Sequence, residues 1–359
     1  MRVGLLIYGS LETVSGGYLY DRMLVQHLHR QGDEVELILL PWRNYSRHLA
    51  DNWSADLYRR LRRANLDVLL QDELNHPSLF WLNHRLRGQI GYPIIAIVHH
   101  LRCSEARPAW QNWFYRQVER RYLTSVDSFI FNSQTTRTAV ENLAGRGRSF
   151  VVAYPAGDRL CPPLTDAQIT NHARQTGPLR LVFVGNLIPR KGLHLLLDAL
   201  VQLPRSAWQL EVIGNLNIDP AYTRFIRRRL AVLDLAEQII LSGSLTDVAL
   251  SDRLAHSHAL IVPSSYEGFG IVYLEGMGFG LPAIATTAGA AAEIITHGQD
   301  GFLVPPNDPT PLAQTIDLLS QDRACLAQMS LAARRRFKAH PTWEQSMERI
   351  RQFLKGEVL

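Results

Sequence analysis

Short apolar segments alternate with longer amphipathic segments along most of the chain. The apolar segments are nearly continuous, as expected for strands buried on both faces of a parallel sheet, and the stretches between them have helical periodicity. The pattern predicts an α/β protein made of βαβ units, and the series of units runs twice. The predicted strands are VGLLIY, VELILL, DVLLQ, PIIAIV, SFIFN and FVVAYP in the first series, and LRLVFVG, WQLEVIG, QIILSG, HALIVPS, PAIATT and GFLVPP in the second.

The interruption between the two series predicts a border between two domains. Residues 155–178 are polar and contain four prolines, and we interpret them as an interdomain connection. A chain of 359 residues is also long for a single hydrophobic core. We therefore expect two doubly wound domains, with ligands beyond the carboxyl ends of the strands in a cleft. The last segment predicts a terminal helix packed on one side, with an apolar stripe of Trp343, Met347, Ile350 and Phe353.

Composition narrows the class of protein. With 46% hydrophobic and 20% charged residues, the chain resembles an ordinary soluble globular protein. Its cysteines, Cys103, Cys161 and Cys325, form no CxxC pair, which argues against a zinc site or a disulfide framework and favours a reducing, cytoplasmic compartment. The first apolar run is too short for a signal peptide, and no run is long enough to span a membrane.

Positive charge is concentrated in short clusters, although the net charge is only +5. Such clusters attract phosphates, anionic lipids or nucleic acids, but their helical spacing equally describes solvated helix faces. The segment Trp110–Leu123 combines one cluster with five aromatic rings, which suits a helix at a membrane surface. One hypothesis is reversible contact with an anionic membrane through this segment and Tyr58–Arg63. The alternative, which we expect for most of the rings, is packing in the core. We predict no nucleic-acid partner.

Two loops at predicted strand ends have residues suited to binding anions. Gly16 and Gly17 precede a helical pattern, where glycine lets backbone amides approach a phosphate, although a simple tight turn is the alternative. In FVGNLIPRKGL, Arg190 and Lys191 stand between a strand and a helix, where two cations can neutralise a diphosphate. A surface pair is the alternative there. Neither loop is a GxGxxG fingerprint or a Walker A loop.

The stretch SSYEGFGIVYLEGMGFGLP brings Glu267 and Glu275 into an apolar, glycine-rich segment. It follows a predicted strand, so backbone amides near Gly268, Phe269 and Gly270 can face a ligand at the sheet edge. Carboxylates in such a place need hydrogen-bond donors, and sugar hydroxyls supply them. Two carboxylates eight residues apart do not make the oxygen cage of a hard cation. The alternative is that buried glutamates pair with the basic loops.

A histidine pair ends another predicted strand, in PIIAIVHHLRCSE. His99 and His100 lie at the carboxyl edge, where the ligand is expected. A single histidine at a strand end is usually structural, but two in tandem favour one that points toward the ligand and one that points away.

At these residues the sequence closely resembles the family-4 glycosyltransferases, retaining enzymes of the GT-B fold that use nucleotide-activated sugars. The resemblance covers nearly the whole chain. Its most specific element is the E-x7-E signature in PSSYEGFGIVYLEGMGFGLP, supported by FVGNLIPRKGL, DGFLVPPND and the glycine pair. It implies two Rossmann-like domains facing across a cleft. Residues 1–160 would bind the acceptor and residues 161–342 the donor, with a helix of about residues 343–359 packing back on the first domain.

The resemblance implies a role for each candidate residue. Glu267 would contact hydroxyls of the donor sugar, Glu275 the ribose, and the backbone of Phe269–Ile271 the donor. Arg190 and Lys191 would bind the diphosphate together with Gly17, and the strand-end loop around Leu245 would lie near the base. The implied catalytic residues are His99, Glu267, Arg190 and Lys191, and the implied donor-binding residues are Gly16, Gly17, Arg190, Lys191, Leu245, Glu267, Gly268, Phe269, Gly270, Ile271 and Glu275.

The chain departs from the family pattern at two places. Asn186 stands where the family usually carries arginine, which puts phosphate binding at this position in doubt. LEGMGFG replaces the commoner LEAMA-type run.

The predicted function is the transfer, with retention, of a sugar from a nucleoside diphosphate sugar to a hydroxyl of a glycan, a lipid-linked molecule or a small molecule. Two cations and amide dipoles would stabilise the departing diphosphate, so no metal ion or cofactor is expected. The alternatives are a degenerate sugar-nucleotide-binding module without turnover and a GT-B-fold sugar-nucleotide epimerase. We also expect the domains to close on the donor, with hinges near residues 155–178 and before Trp343.

Overall fold

The computed structural model describes residues 1–105, 107–160 and 164–358, which form two compact units. Unit 1 comprises Met1–Pro155 and Pro341–Leu359, and unit 2 comprises Ala156–His340. The borders expected from the sequence, 160/161 and 342/343, lie within a few residues of these.

Unit 1 alternates strands and helices in the order that the apolar pattern predicts. In its described part the strands form one parallel sheet of six, in the order β2-β1-β3-β4-β5-β6. The elements are β1 (Arg2–Tyr8), α1 (Gly16–Arg30), β2 (Glu34–Leu40), α2 (Tyr45–Ala50), α3 (Ala55–Arg63), β3 (Val68–Asp72), α4 (His76–Leu79), α5 (Leu82–Leu86), β4 (Ile94–Val98), α6 (Ala109–Leu123), β5 (Ser128–Phe131), α7 (Gln134–Ala144) and β6 (Phe150–Val152).

The side chains of β1 and β2 agree with the positions of these strands in the sheet. β1 is apolar throughout most of its length, and its residues from Val3 to Tyr8 are buried, as a central strand requires. β2 carries Glu34 and Glu36, both exposed, because it lies at the edge of the sheet where one face meets water.

Unit 2 repeats this plan. Its described residues form a second parallel sheet of six strands, in the order β12-β11-β10-β7-β8-β9. The elements are α8 (Asp166–Ala173), β7 (Leu179–Val184), α9 (Leu193–Leu200), β8 (Trp208–Ile213), α10 (Pro220–Val232), β9 (Ile239–Gly243), α11 (Asp247–His256), β10 (Ala259–Val262), α12 (Ile271–Gly278), β11 (Ala283–Thr286), β12 (Gly301–Val304), α13 (Pro309–Gln321) and α14 (Arg323–Ala339).

The last helix, α15 (Trp343–Val358), belongs to unit 1 and packs on α1. Its polar side chains join it to the first helix and the turn after it: Glu348 Oε2 lies 3.0 Å from His27 Nε2, and Arg351 Nε donates to Asp33 at 2.6 Å. Leu354 is buried on the helix stripe, and Phe353, which the periodicity placed there, is half-buried. The buried apolar residues of the stripe are Trp343, Met347, Ile350 and Leu354.

The interpretation of residues 155–178 as an interdomain connection is wrong for most of the stretch. Residues from Ala156 onward belong to unit 2, and α8 packs on α14. Thr165 and Gln168 form a capping box that starts this helix, and Ile169 and Ala173 are buried. The helix was missed in the sequence because its apolar face consists of few residues and the surrounding stretch is rich in proline and polar residues. Cys161, Pro162 and Pro163 lie outside the described residues.

The winding of unit 2 reverses between β7 and β10, which are neighbours in the sheet although β8 and β9 separate them in the chain. Ligands of doubly wound sheets bind at such a switch point, beyond the carboxyl ends of the strands. The loops that follow β7 and β10 contain Arg190, Lys191 and Glu267. The prediction of an α/β fold with two doubly wound units is confirmed. No helix in the described ranges combines the length and apolarity needed to cross a membrane.

Candidate functional site

The loops after β7 and β10 meet through a buried ion pair. Lys191 Nζ donates to Glu267 Oε2 at 2.6 Å, and the Ser264 hydroxyl donates to the same oxygen at 3.0 Å. Arg190 Nη1 donates to the Tyr266 carbonyl at 2.8 Å and lies 3.9 Å from Glu267 Oε1. The side chains of Lys191 and Glu267 are only 15% and 12% exposed, so their attraction is weakly screened by water. Three of the four predicted catalytic residues therefore lie together.

The charges at this pair keep the Glu267 carboxylate ionised. Burial raises its pKa, but the positive charges of Lys191 and Arg190 and the hydrogen bonds from Lys191 and Ser264 outweigh burial and lower the pKa to about 2. Burial also lowers the pKa of the Lys191 ammonium, which the Glu267 charge opposes. An ionised carboxylate accepts hydrogen bonds on both oxygens, as sugar hydroxyls require.

Close backbone packing fixes the two loops around this pair. Gly192, the residue after Lys191, has a φ of +73°, and a Cβ there would lie 2.1 Å from the Pro263 carbonyl oxygen. The amide of Ser265 donates to the Arg190 carbonyl at 2.8 Å, which ties the loops together directly. The loop after β11, which we did not single out from the sequence, also contacts this pair of loops. The amide of Ala290 in it donates to the Glu267 carbonyl at 2.9 Å.

Helix α12 begins beside Glu267. Its N-cap is Gly270, with a φ of +99°, and no side chain in the described part of the protein caps this end. The amide of Ile271 therefore stands at an uncapped helix N-terminus, where the helix dipole favours an anion. Phe269 is 3% exposed, and its ring lies 5.9 Å from that of His340. The predicted backbone donors thus lie next to the predicted carboxylate.

Glu275 lies further along α12, and its partner was not identified from the sequence. Arg159 Nε donates to Glu275 Oε1 at 2.6 Å, and Arg159 Nη1 donates to Asp247 Oδ1. Burial raises the pKa of Glu275, and the Arg159 charge opposes this shift. Asp247 begins α11, two residues after Leu245, so Arg159 joins the helix of Glu275 to the predicted base loop.

The remaining predicted residues, Gly16, Gly17 and His99, lie in unit 1. His99 follows β4, and a Cβ on Gly17 would lie 3.0 Å from its ring, so the start of α1 rests against the imidazole. Asp21 Oδ1 lies 3.4 Å from His99 Nε2. Burial lowers the pKa of His99, but the hydrogen bond and charge of Asp21 outweigh burial and raise it. His100 instead lies 2.9 Å from Glu105.

Asn186 stands where the family-4 glycosyltransferases usually carry arginine, and its side chain binds a neighbouring loop. Its side-chain oxygen accepts from the Asn215 amide at 3.4 Å, and the Leu187 amide donates to the Asn215 carbonyl at 3.1 Å. These contacts connect the loops that follow β7 and β8.

Among the described residues of unit 1, two groups of acidic and histidine side chains have ligand atoms close enough to share a cation, all within 4.8 Å in each group. Protein contacts already occupy part of both groups, because Asp72 accepts from the Leu74 amide at 2.9 Å and Glu119 from the Cys103 amide at 3.1 Å. Burial raises the pKa of Asp72 to about 7. The groups are Asp21, Asp72 and His99, and Glu73, His76 and Glu119.

Residues 165–336 match the family model of the glycosyl transferases group 1. The chain is similar to glycogen synthase of Mycobacterium tuberculosis, at 28% identity over 79% of this chain and 69% of that one. It is also similar to a GDP-mannose-dependent alpha-(1-6)-phosphatidylinositol monomannoside mannosyltransferase of the same organism, at 26% identity over 67% of this chain and 65% of that one.

Solved structures share the fold at low sequence identity. Sucrose-phosphate synthase from Thermosynechococcus elongatus has a TM-score of 0.84 at 20% identity, covering 99% of this chain and 98% of that one. HepE of Anabaena, in complex with UDP and glucose, has a TM-score of 0.80 at 20% identity, covering 99% of this chain and all of that one. These neighbours confirm the prediction of a GT-B fold. The matched family segment contains the Lys191–Glu267 pair, α12 and Leu245.

Proposed function

Because residues 165–336 match the family model of the glycosyl transferases group 1, we propose that the chain is a member of this family and that it moves a sugar from a nucleoside diphosphate sugar to an acceptor hydroxyl, with retention of configuration at the anomeric carbon. The observation that carries this proposal is the buried Lys191–Glu267 pair at the switch point of unit 2, beside the uncapped start of α12. The family match and the named relatives support the glycosyltransferase class. The donor, the acceptor and the stereochemistry belong to the proposal.

The pair has the chemistry to bind and activate such a donor. The Lys191 ammonium has three N–H groups, so it can keep its bond to Glu267 and still donate to a diphosphate oxygen. Arg190 adds a second positive charge near the leaving group. Preorganised cations in a site of low exposure stabilise charge that develops as the anomeric C–O bond breaks. Glu267 accepts from hydroxyls of the sugar.

Retention calls for bond formation on the face from which the diphosphate leaves. In the step proposed here, the anomeric carbon loses its bond to the phosphate oxygen and gains one to the acceptor oxygen on the same face. The proton of the acceptor hydroxyl goes to the departing phosphate. Contacts of His99, Gly16 and Gly17 with the donor remain predictions from the family resemblance.

Donor hydrolysis tests the function without knowledge of the acceptor. The relatives suggest which donors to try first, since HepE was solved in complex with UDP-glucose and the mycobacterial relative is named as GDP-mannose-dependent. Slow release of UDP or GDP is expected from one member of a panel of UDP- and GDP-sugars. Binding without release would favour the degenerate binding module, and conversion to a second sugar nucleotide would favour the epimerase. No binding of any donor would contradict the proposal.

We also propose that transfer needs no metal ion, because Arg190, Lys191 and the start of α12 supply positive charge at the diphosphate. Donor hydrolysis is therefore expected to be largely unchanged after treatment with EDTA. Loss of hydrolysis in EDTA and recovery on addition of Mg²⁺ or Mn²⁺ would contradict this prediction, and the donor-binding roles of Arg190 and Lys191 would then need revision.

The surface of unit 1 supports contact with an anionic membrane. The expectation that most rings of α6 pack in the core is wrong for three of them, since Trp110, Trp113 and Phe114 are 70%, 64% and 39% exposed. They are exposed because only the later turns of the helix, around Val118 and Tyr122, face the core. The exposed basic residues of the same helix are Arg116, Arg120 and Arg121.

Co-sedimentation tests this contact. The protein is expected to bind vesicles rich in anionic phospholipid and to be released by salt, since each basic residue near such a surface contributes about 1 kcal/mol. Serine in place of both Trp110 and Trp113 should weaken binding. Ile240→Ser is the control, because Ile240 is 64% exposed but lies in unit 2. Equal, negligible binding to anionic and neutral vesicles would contradict membrane contact. A cytoplasmic location, with the protein at the inner face of the membrane, remains a prediction.

A further inference from the structure

Arg159 lies in a short turn, Asp158–Leu160, that packs against α12. The preceding residue, Gly157, sets how closely the turn approaches, because a Cβ there would lie 2.6 Å from the carbonyl carbon of Leu274 and 2.7 Å from the amide of Glu275. Leu160 is buried beside it. Backbone packing therefore holds Arg159 at a fixed distance from the turn of α12 that carries Glu275.

The Arg159 guanidinium bridges two carboxylates of different exposure. Its Nε donates to Oε1 of Glu275, whose side chain is 5% exposed, and its Nη1 donates to Asp247, whose side chain is 67% exposed. The planar guanidinium presents these donors in a rigid array, so contact with Asp247 at one end holds in place the Nε–H group that binds Oε1 of Glu275 at the other. Within the described ranges, Arg159 donates to Oε1 of Glu275, and no protein group donates to Oε2.

We infer that Arg159 is a positioning residue for the nucleotide: it aims the Glu275 carboxylate so that Oε2 accepts from the ribose hydroxyls, and it ties that carboxylate to the start of α11, where Leu245 is predicted to face the base. This inference rests on the sugar-nucleotide function proposed above. It adds a residue that lies outside the matched family segment, which begins at residue 165.

The electrostatics of the turn agree with this role. A buried carboxylate is costly without a counter-charge, and burial raises the pKa of Glu275 while Arg159 opposes that shift. Asp247 raises the same pKa, so without Arg159 two acidic groups would face each other. Arg334, on the neighbouring helix α14, donates instead to the Gly278 carbonyl at the far end of α12. In the part of the chain that the structure describes, Arg159 is thus the guanidinium that contacts Glu275 directly.

The inference is tested by measuring the affinity of the protein for UDP and GDP by calorimetry. Each affinity is compared with that for the corresponding 2′-deoxynucleotide. The unmodified protein is expected to bind the better ribonucleotide at least about tenfold more tightly than its 2′-deoxy form, as loss of a hydrogen bond to a charged group implies. Arg159→Met should bind both forms equally and weakly. Arg159→Lys keeps the positive charge but loses the planar array of N–H donors, so it should recover part of the preference for the ribonucleotide. With donor sugar, Arg159→Met should raise KM far more than it lowers kcat.

Arg229→Met is the matched control, because Arg229 also bonds a carboxylate of unit 2, that of Asp198, and should leave the preference for the ribonucleotide unchanged. Glu275→Gln keeps the shape of the glutamate side chain and should also lose the preference for the ribonucleotide. It therefore tests the inference even if Arg159→Met fails to fold. Retention of the full preference in Arg159→Met or in Glu275→Gln would overturn the inference, as would its absence in the unmodified protein. Failure of the unmodified protein to bind UDP, GDP or any donor would instead overturn the proposed function.

Discussion

Lys191→Met is expected to lower the turnover of donor at least about 100-fold, the usual loss when one preorganised stabiliser of transition-state charge is removed. Methionine has nearly the same length and shape as lysine, so the packing between the loops after β7 and β10 is retained. The variant loses the ammonium that lies 2.6 Å from Glu267 and faces the predicted diphosphate site. Arg190→Ala should also lower turnover by about 100-fold or more, for the same reason. Release of nucleoside diphosphate from the preferred donor is the measurement.

The control for this prediction is Lys338→Met. Lys338 is 57% exposed, and its ammonium lies as far as 3.9 Å from the carboxylate of its acidic neighbour Asp166. The variant should keep the activity of the unmodified protein, since an exposed pair contributes little. Turnover of Lys191→Met close to that of the unmodified protein would contradict the assignment of Lys191 to the leaving group.

Unfolding experiments separate a chemical loss from a folding loss in Lys191→Met. Since the folded pKa of Glu267 is about 2 and its ordinary value is 4.5, the pair contributes stability above pH 4.5 that is lost as pH falls toward 2. In Lys191→Met the carboxylate keeps its burial and loses its main counter-charge, so its folded pKa rises. The variant should therefore be least stable, relative to the unmodified protein, at neutral pH, and the difference should shrink in acid.

The sequence predicts the elements of both sheets well, because buried parallel strands are continuous apolar runs with glycine or proline beyond their ends. It also places Arg190, Lys191 and Glu267 at the carboxyl edge. It does not state that β7 and β10 are neighbours, since two strands lie between them in the chain. That neighbour relation turns two loops into one ion pair, and only the three-dimensional path of the chain supplies it.

Contacts between distant residues account for what the sequence did not reveal. Arg159 and Glu275 are 116 residues apart, and Asp21 and His99 are 78 apart, so no local pattern joins either pair. The one local signal near Arg159 was Gly157, which precedes two charged residues in a turn. The rings of α6 were misjudged for a different reason. An aromatic stripe shows that a helix has an apolar face but not whether protein covers each turn of it.

Gly192→Ala is expected to lower both stability and turnover strongly, because Gly192 connects Lys191 to α9 in a conformation that a side chain cannot adopt here. Its φ of +73° lies in the left-handed region, where alanine costs about 1–2 kcal/mol. The added Cβ would lie 2.1 Å from the Pro263 carbonyl oxygen, so the backbone must move, at a further cost of about 1–3 kcal/mol. Movement of Lys191 by about 1 Å is enough to lower turnover roughly 100-fold. Chemical unfolding and donor hydrolysis measure the two effects.

Gly298→Ala separates the two causes. Gly298 lies in the same unit with a φ of +76°, but its added Cβ meets nothing within 4 Å. It should therefore lose only the cost of the left-handed backbone and keep its turnover, whereas Gly192→Ala loses more stability and most of its activity. Equal losses of stability in the two variants, with normal turnover in Gly192→Ala, would contradict the view that contact with Pro263 sets the position of Lys191. In that case the loop that carries Lys191 could move without loss of turnover, although Lys191 lies only 2.6 Å from Glu267.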